Sequence, residues 1–164
     1  IMNIIIKKKF LLYKDYKFKC SIGRSGTTNS KKEGDLATPK GLFTLGLLYY
    51  RQDKVKSFKC RIKKKIIKKN MGWCNDIRSR KYNREIVFPF NYKAEKLYRN
   101  DRTYDIFIDI NYNKFPVKKN KGSAIFLHLT NKKYKGTLGC IAILKKDFLK
   151  ILPNITRNTK ILIK

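Results

Sequence analysis

Histidine and tryptophan each occur once in this chain, as His128 and Trp73, and cysteine four times, as Cys20, Cys60, Cys74 and Cys140. No two cysteines stand in CxxC spacing, so a zinc ribbon or a dithiol redox motif is excluded. A four-ligand metal site from such scattered groups is not expected, and the chain should need neither metal nor cofactor. Cys20, Cys60 and Cys74 read as small buried hydrophobes, with a disulfide among them left open. No apolar run approaches the roughly 18 residues of a spanning helix, so no transmembrane segment is expected. Ile4-Ile5-Ile6 is too short for a signal-peptide core, and Lys7-Lys8-Lys9 follows it instead of preceding it. There is no internal repeat. Acidic residues are scarce, 11 against 41 Lys and Arg, and none falls between Gly122 and Ile143.

What is present describes a folded protein. Apolar residues make up 42% of the 164, aromatics 13%, too much for a disordered basic tail. The length suits one domain over 1–164, with residues 1–15 as a peripheral N-terminal strand region. The net charge of +30 has two readings. One is attraction to a polyanion, a nucleic acid or an anionic cell-wall polymer. The other is compositional bias, since Lys, Ile, Asn, Tyr and Phe are all abundant. The even spread of lysines favours the second.

The most informative stretch is Gly122–Ile143. Ser123-Ala124-Ile125-Phe126-Leu127 leads into His128, and Cys140-Ile141-Ala142-Ile143 leads out of Gly139. Both runs read as buried strands. The segment between them is polar and basic, punctuated by Gly136 and Gly139. Two strands thus bring an imidazole and a thiol to one loop end, as a Cys–His nucleophile requires.

Elsewhere strands are expected at Ile4–Ile6, Tyr16–Ile22, Leu42–Tyr50, Tyr104–Ile110 and Lys160–Ile163. In Tyr104–Ile110 the alternation places Ile106, Ile108 and Ile110 on one face. Lys54–Asn70 reads as a strand or hairpin whose lysines form a solvated face. Residues 24–37 read as a surface loop. Met71–Arg84 also reads as a loop, with Trp73 lining a peptide cleft or capping the core. Ala94–Arg99 is expected as a short helix, and Lys145–Leu152 as a helix stopped by Pro153. Mostly strands with one or two short helices give a mainly β fold, a β-sandwich or flattened barrel.

At Thr137-Leu138-Gly139-Cys140, preceded by His128, the chain resembles the L,D-transpeptidase catalytic domain (YkuD-like) family. Further blocks agree: Glu33-Gly34-Asp35 with Thr38-Pro39-Lys40-Gly41-Leu42-Phe43, then Gly72-Trp73-Cys74-Asn75-Asp76 with Tyr82-Asn83-Arg84, then Gly122–His128. Several blocks in order are more specific than one. Leu138 and Ala142 replace the histidine and arginine usual in the family turn. His128 and Cys140 stand twelve residues apart, a short spacing for the family, and both departures suit the branch with the GWC block.

The resemblance implies a YkuD-like fold, Cys140 as nucleophile and His128 as its base. An imidazolium beside the sulfur would lower the thiol pKa, and the amides of Gly139 and Cys140 would bind the oxyanion. The carbonyl of Leu129 would orient the imidazole. Arg24, Thr137 and Trp73 are the candidate substrate contacts, Arg24 through a bidentate bond to a carboxylate. The substrate would be a peptidoglycan stem peptide, cross-linked or remodelled in the cell envelope or periplasm by a monomer. Water as acceptor would give an L,D-carboxypeptidase, and loss of turnover a cell-wall-binding relative. The rival of another class is a basic nucleic-acid-binding domain stacking bases on Tyr49, Tyr50 and Trp73; no specific nucleic acid is expected.

Overall fold

The computed structural model describes residues 2–164. The strands, in order, are β1 (Ile4–Lys7), β2 (Phe10–Tyr13), β3 (Tyr16–Lys19), β4 (Thr27–Thr28), β5 (Thr38–Pro39), β6 (Gly41–Tyr50) and β7 (Lys64–Ile66). Then follow β8 (Met71–Cys74), β9 (Glu85–Val87), β10 (Ala94–Lys96), β11 (Ile106–Ile110), β12 (Phe126–Thr130) and β13 (Ile141–Leu144). The helix α1 (Lys145–Ile151) runs into a 3-10 turn at Leu152–Asn154, and β14 (Lys160–Ile163) ends the chain's regular structure. The molecule is mainly β with one short helix, as expected, although the β-rich N-terminal region holds three strands where the alternation suggested two. No helix among the described residues is long and apolar enough to cross a membrane.

The main sheet runs β13-β12-β11-β6-β14-β1-β2-β3, with β7 added beside β6. Its two ends meet. Just past β3, Ser21 pairs with Ala142 of β13, with amide-to-carbonyl bonds of 2.8 and 3.0 Å. Thr137 and Arg24 add two more backbone bonds on the other flank, Thr137 N–H to Ile22 O and Arg24 N–H to Thr137 O, each 2.9 Å. The sheet therefore nearly closes into a flattened barrel, covering the edges that β3 and β13 would otherwise leave free. β1 lies between β14 and β2, and Ile4, Ile6 and Leu11 are fully buried, so residues from Ile4 onward are an integral barrel wall, not a peripheral strand region.

β11 is buried on both faces. Ile106, Ile108 and Ile110 enter the aliphatic core inside the barrel. Phe107 points the other way, into an aromatic cluster with Tyr49, Trp73, Tyr104 and Phe126 that also contains Cys140. Phe107 stacks on Phe126 at 4.5 Å and on Tyr49 at 4.8 Å, and Trp73 meets Phe126 edge-on at 5.0 Å. Each such side chain contributes about 2–3 kcal/mol through burial.

This second core explains where local pattern misleads. Met71–Cys74 is a fully buried strand, not a loop, because it pairs on both sides with β9 and β10. Gly72 permits the approach: a Cβ there would stand 2.5 Å from the Phe88 ring. Ala94–Lys96 pairs with β8, so strand pairing overrides the helix read from its composition. Of Lys54–Asn70 only β7 forms, an exposed strand parallel to β6. The four cysteines are free thiols.

Candidate active site

His128 lies in the middle of β12 rather than at a strand end, because Leu129 and Thr130 continue the parallel pairing with β13. Cys140 immediately precedes β13. Both side chains open onto one cleft of about 1100 Å³, walled also by Arg24, Lys31, Glu33, Glu95, Arg99 and Tyr104. The thiol and the imidazole are nearly enclosed, Cys140 being 8% and His128 7% exposed.

The imidazole is held by its own strand. Nδ1 lies 2.9 Å from the carbonyl oxygen of Leu129, as expected. A carbonyl only accepts, so Nδ1 carries the proton and Nε2 of the neutral ring is left with a lone pair. Tyr104 packs edge-on against the ring at 5.5 Å and donates its hydroxyl to Glu95 at 2.5 Å. Burial lowers the His128 pKa to about 4, so the ring is neutral at pH 7.

The sulfur differs from expectation. Its thiol donates to the carbonyl of Ala124 at 3.1 Å and receives the Phe126 amide at 3.4 Å. Among the described residues no hydrogen bond joins Cys140 to His128. Burial pushes the Cys140 thiol up to about 12. The resting pair is therefore neutral thiol and neutral imidazole, not the thiolate–imidazolium pair anticipated. The physical reason is desolvation, which disfavours both charged forms at once.

The turn is built by Thr137. Its hydroxyl donates to Cys140 O at 2.6 Å and accepts the Gly139 amide at 3.1 Å. Thr137 thus lines the cleft with its hydroxyl committed to the turn, and the Gly139 amide is already engaged. Gly139 has φ +143°, and a Cβ there would stand 3.0 Å from Ala37 O. Arg24 lies on the cleft rim, exposed and without a carboxylate partner among the described residues.

Trp73 is not a cleft residue. It is 2% exposed and donates Nε1–H to Asn83 Oδ1 at 3.0 Å. Its role is indirect. The same Asn83 oxygen accepts the Ala124 amide at 3.0 Å, fixing Ala124 at φ +53°, and the Ala124 carbonyl takes the Cys140 thiol. Asn83, itself at φ +55°, also donates to the carbonyls of Tyr112 and Asn113 at 3.1 and 2.8 Å. Glu33 likewise accepts from Tyr82 at 2.5 Å and Ser123 at 2.7 Å. The Tyr82-Asn83-Arg84 and Glu33-Gly34-Asp35 blocks carried the signal for these residues, but only the fold gives them work. No group of three or more His, Cys, Asp or Glu side chains that could hold a metal ion occurs among the described residues.

The mainly β fold and the sequence together match a known family. The L,D-transpeptidase catalytic domain model matches residues 4–163, and the chain belongs to that family. Among solved structures it is similar to one titled as the structure of Bdellovibrio bacteriovorus Bd1075, at 16% sequence identity and a TM-score of 0.51. That likeness concerns the fold; it covers 99% of this chain and 47% of the other, so this chain spans about half the length of its structural relative. No curated protein matches.

Proposed function

We propose that this domain is a cysteine-dependent L,D-transpeptidase acting on peptidoglycan stem peptides in the cell envelope. The observation that carries the reading is the position of a neutral His128, its Nδ1 proton anchored on Leu129 O, on the strand beside Cys140 and facing the same cleft. Family membership supports the reaction class.

The neutral pair sets the order of events. Substrate entry displaces the thiol from Ala124 O, and the sulfur turns toward Nε2. The thiol proton passes to Nε2 as sulfur attacks the peptide carbonyl carbon. A C–S bond forms and the carbonyl electron pair moves onto oxygen, with the Cys140 amide as the turn's oxyanion donor because Thr137 holds that of Gly139. Collapse expels the terminal D-residue as an amine, protonated by His128. An acceptor amine then attacks the thioester, His128 takes its proton, and the thiol is restored. Water in the acceptor's place gives carboxypeptidase activity. Arg24, unpaired at the rim, takes the carboxylate of the departing residue, where a planar guanidinium bonds through two N–H groups. Thr137 shapes the turn rather than binding substrate.

Incubation with a carbapenem tests this by mass spectrometry. One acyl adduct on Cys140 is expected, abolished by Cys140→Ser and slowed at least a hundredfold by His128→Ala. An unmodified protein, or equal labelling of Cys74, refutes the assignment.

A further inference from the structure

Cys140 becomes negative during the reaction proposed above, yet its own turn offers no compensating charge. From Gly136 to Leu144 the chain has no ionisable side chain other than the thiol itself. The carboxylates that act on the sulfur, Glu95 of β10 and Asp109 of β11, oppose ionisation, and His128 of β12 is neutral at rest. Arg24 is at the solvent-washed rim, where water and salt screen its charge.

One cation is different. Lys31 is 6% exposed, although it sits in a loop and in a chain whose lysines are mostly at the surface. It lines the catalytic cleft. Its Nζ donates to Lys32 O at 2.9 Å and to Asp35 Oδ1. Asp35 is fixed in turn by the amides of Lys32 at 2.8 Å and Ala37 at 2.9 Å. Two of three ammonium protons are thereby accounted for.

The backbone at Gly122 is shaped around this side chain. Gly122, at φ +101°, leaves room for its stem: a Cβ there would stand 2.9 Å from Lys31 Cγ and 3.1 Å from Cε. Its head reaches the turn of Gly139, where a Cβ would stand 3.7 Å from Nζ, an ordinary contact distance. Burying an ammonium costs several kcal/mol even when it is paired, and an apolar side chain of equal length would fill the slot more cheaply. A buried charge packed on Gly122, with its head against the nucleophile's turn, calls for a role in the chemistry.

We propose that Lys31, held by Asp35, supplies the positive charge that stabilises the Cys140 thiolate as it forms. It does so through space, keeps its own protons and makes no bond to the acyl group, so it is a positioning residue and His128 remains the base. The proposal rests on Cys140 being the nucleophile. It also gives the Glu33-Gly34-Asp35 block a purpose: Glu33 braces Tyr82 and Ser123, and Asp35 sets the ammonium.

The test reads the thiol without requiring turnover. In a Cys60→Ser background, because Cys60 is half-buried, the rate of Cys140 alkylation by iodoacetamide is followed from pH 7 to pH 10 by peptide mass spectrometry. Lys31→Met removes the charge and keeps the stem. The double variant Lys31→Met/Asp35→Asn removes both charges and strands neither, so it preserves the fold if the single variant does not. Both should alkylate Cys140 about tenfold more slowly at pH 8, a displacement of about one pH unit in the rate profile. A folded double variant within twofold of the parent overturns the role of Lys31 alone. A parent whose Cys140 resists iodoacetamide even at pH 10 overturns both this role and the acyl-transfer reading.

Discussion

Asn83→Ala should damage the molecule more than any single loss of surface charge. Asn83 is 1% exposed and makes four hydrogen bonds that tie three separate segments together. Alanine would orphan two buried donors, the Trp73 indole N–H and the Ala124 amide, at about 1–3 kcal/mol each. It would also occupy φ +55°, which asparagine tolerates better, at about 1 kcal/mol. The sum is about 3–7 kcal/mol, a large share of the roughly 5–15 kcal/mol that holds a domain together. For a chain of this size each kcal/mol moves Tm by about 2–4 °C. A fall of at least about 6 °C is therefore expected in a calorimetric or circular-dichroism melt. The Ala124 carbonyl would lose its fixed position, so the Cys140 thiol should also alkylate faster where the variant remains folded. A melt within about 3 °C of the parent would refute the view that Asn83 braces the nucleophile's acceptor.

Two further outcomes follow from the same geometry. His128 titrates near pH 4 in the fold and near 6.5 when unfolded, so the unfolded chain binds the extra proton between those values. Its contribution is present above about pH 6.5 and is lost as pH falls through 4, about 3 kcal/mol in all. Asp109, raised by burial to about 6, works in the opposite sense. The comparison is therefore with His128→Gln: urea unfolding should show the gap between the two proteins changing by about 3 kcal/mol from pH 7 to pH 4, and a constant gap would contradict it. Gly139→Ala places a Cβ at φ +143° against Ala37 O. Carbapenem acylation should slow at least tenfold with a loss of about 1–3 kcal/mol in stability, and normal acylation would remove Gly139 from the site.

Much of the site was readable because it is local. The histidine, the carbonyl of the next residue and the Thr-x-Gly-Cys turn all lie within one short segment, so strand patterning brings the imidazole and the thiol to one loop end and the family resemblance supplies the rest. The strand at Leu42–Tyr50 and the helix after Leu144 are likewise written in their own residues. What escaped depends on partners far along the chain. Trp73 looked like a cleft aromatic because sequence does not show that β8 is covered on both sides. Ala94–Lys96 has helix-forming residues and becomes a strand only through Gly72, Trp73 and Cys74. Lys31 is one lysine among many, and only the close approach of Gly122 and the bond to Asp35 mark it as buried. The thiol's neutrality was hidden too, since desolvation is a property of the assembled aromatic cluster and not of a His-to-Cys interval.

The four backbone bonds between residues 21–24 and residues 137–142 make the nucleophile's turn a rung fastened at each side to the beginning of the chain. In the reaction proposed above, the peptide must therefore come to the turn, and the sulfur meets it by rotating its side chain while the backbone bonds keep the rung in place. The turn also depends on distant partners: the place of Cys140 is set only when segments more than a hundred positions apart have met, so a half-made barrel would carry an undirected thiol.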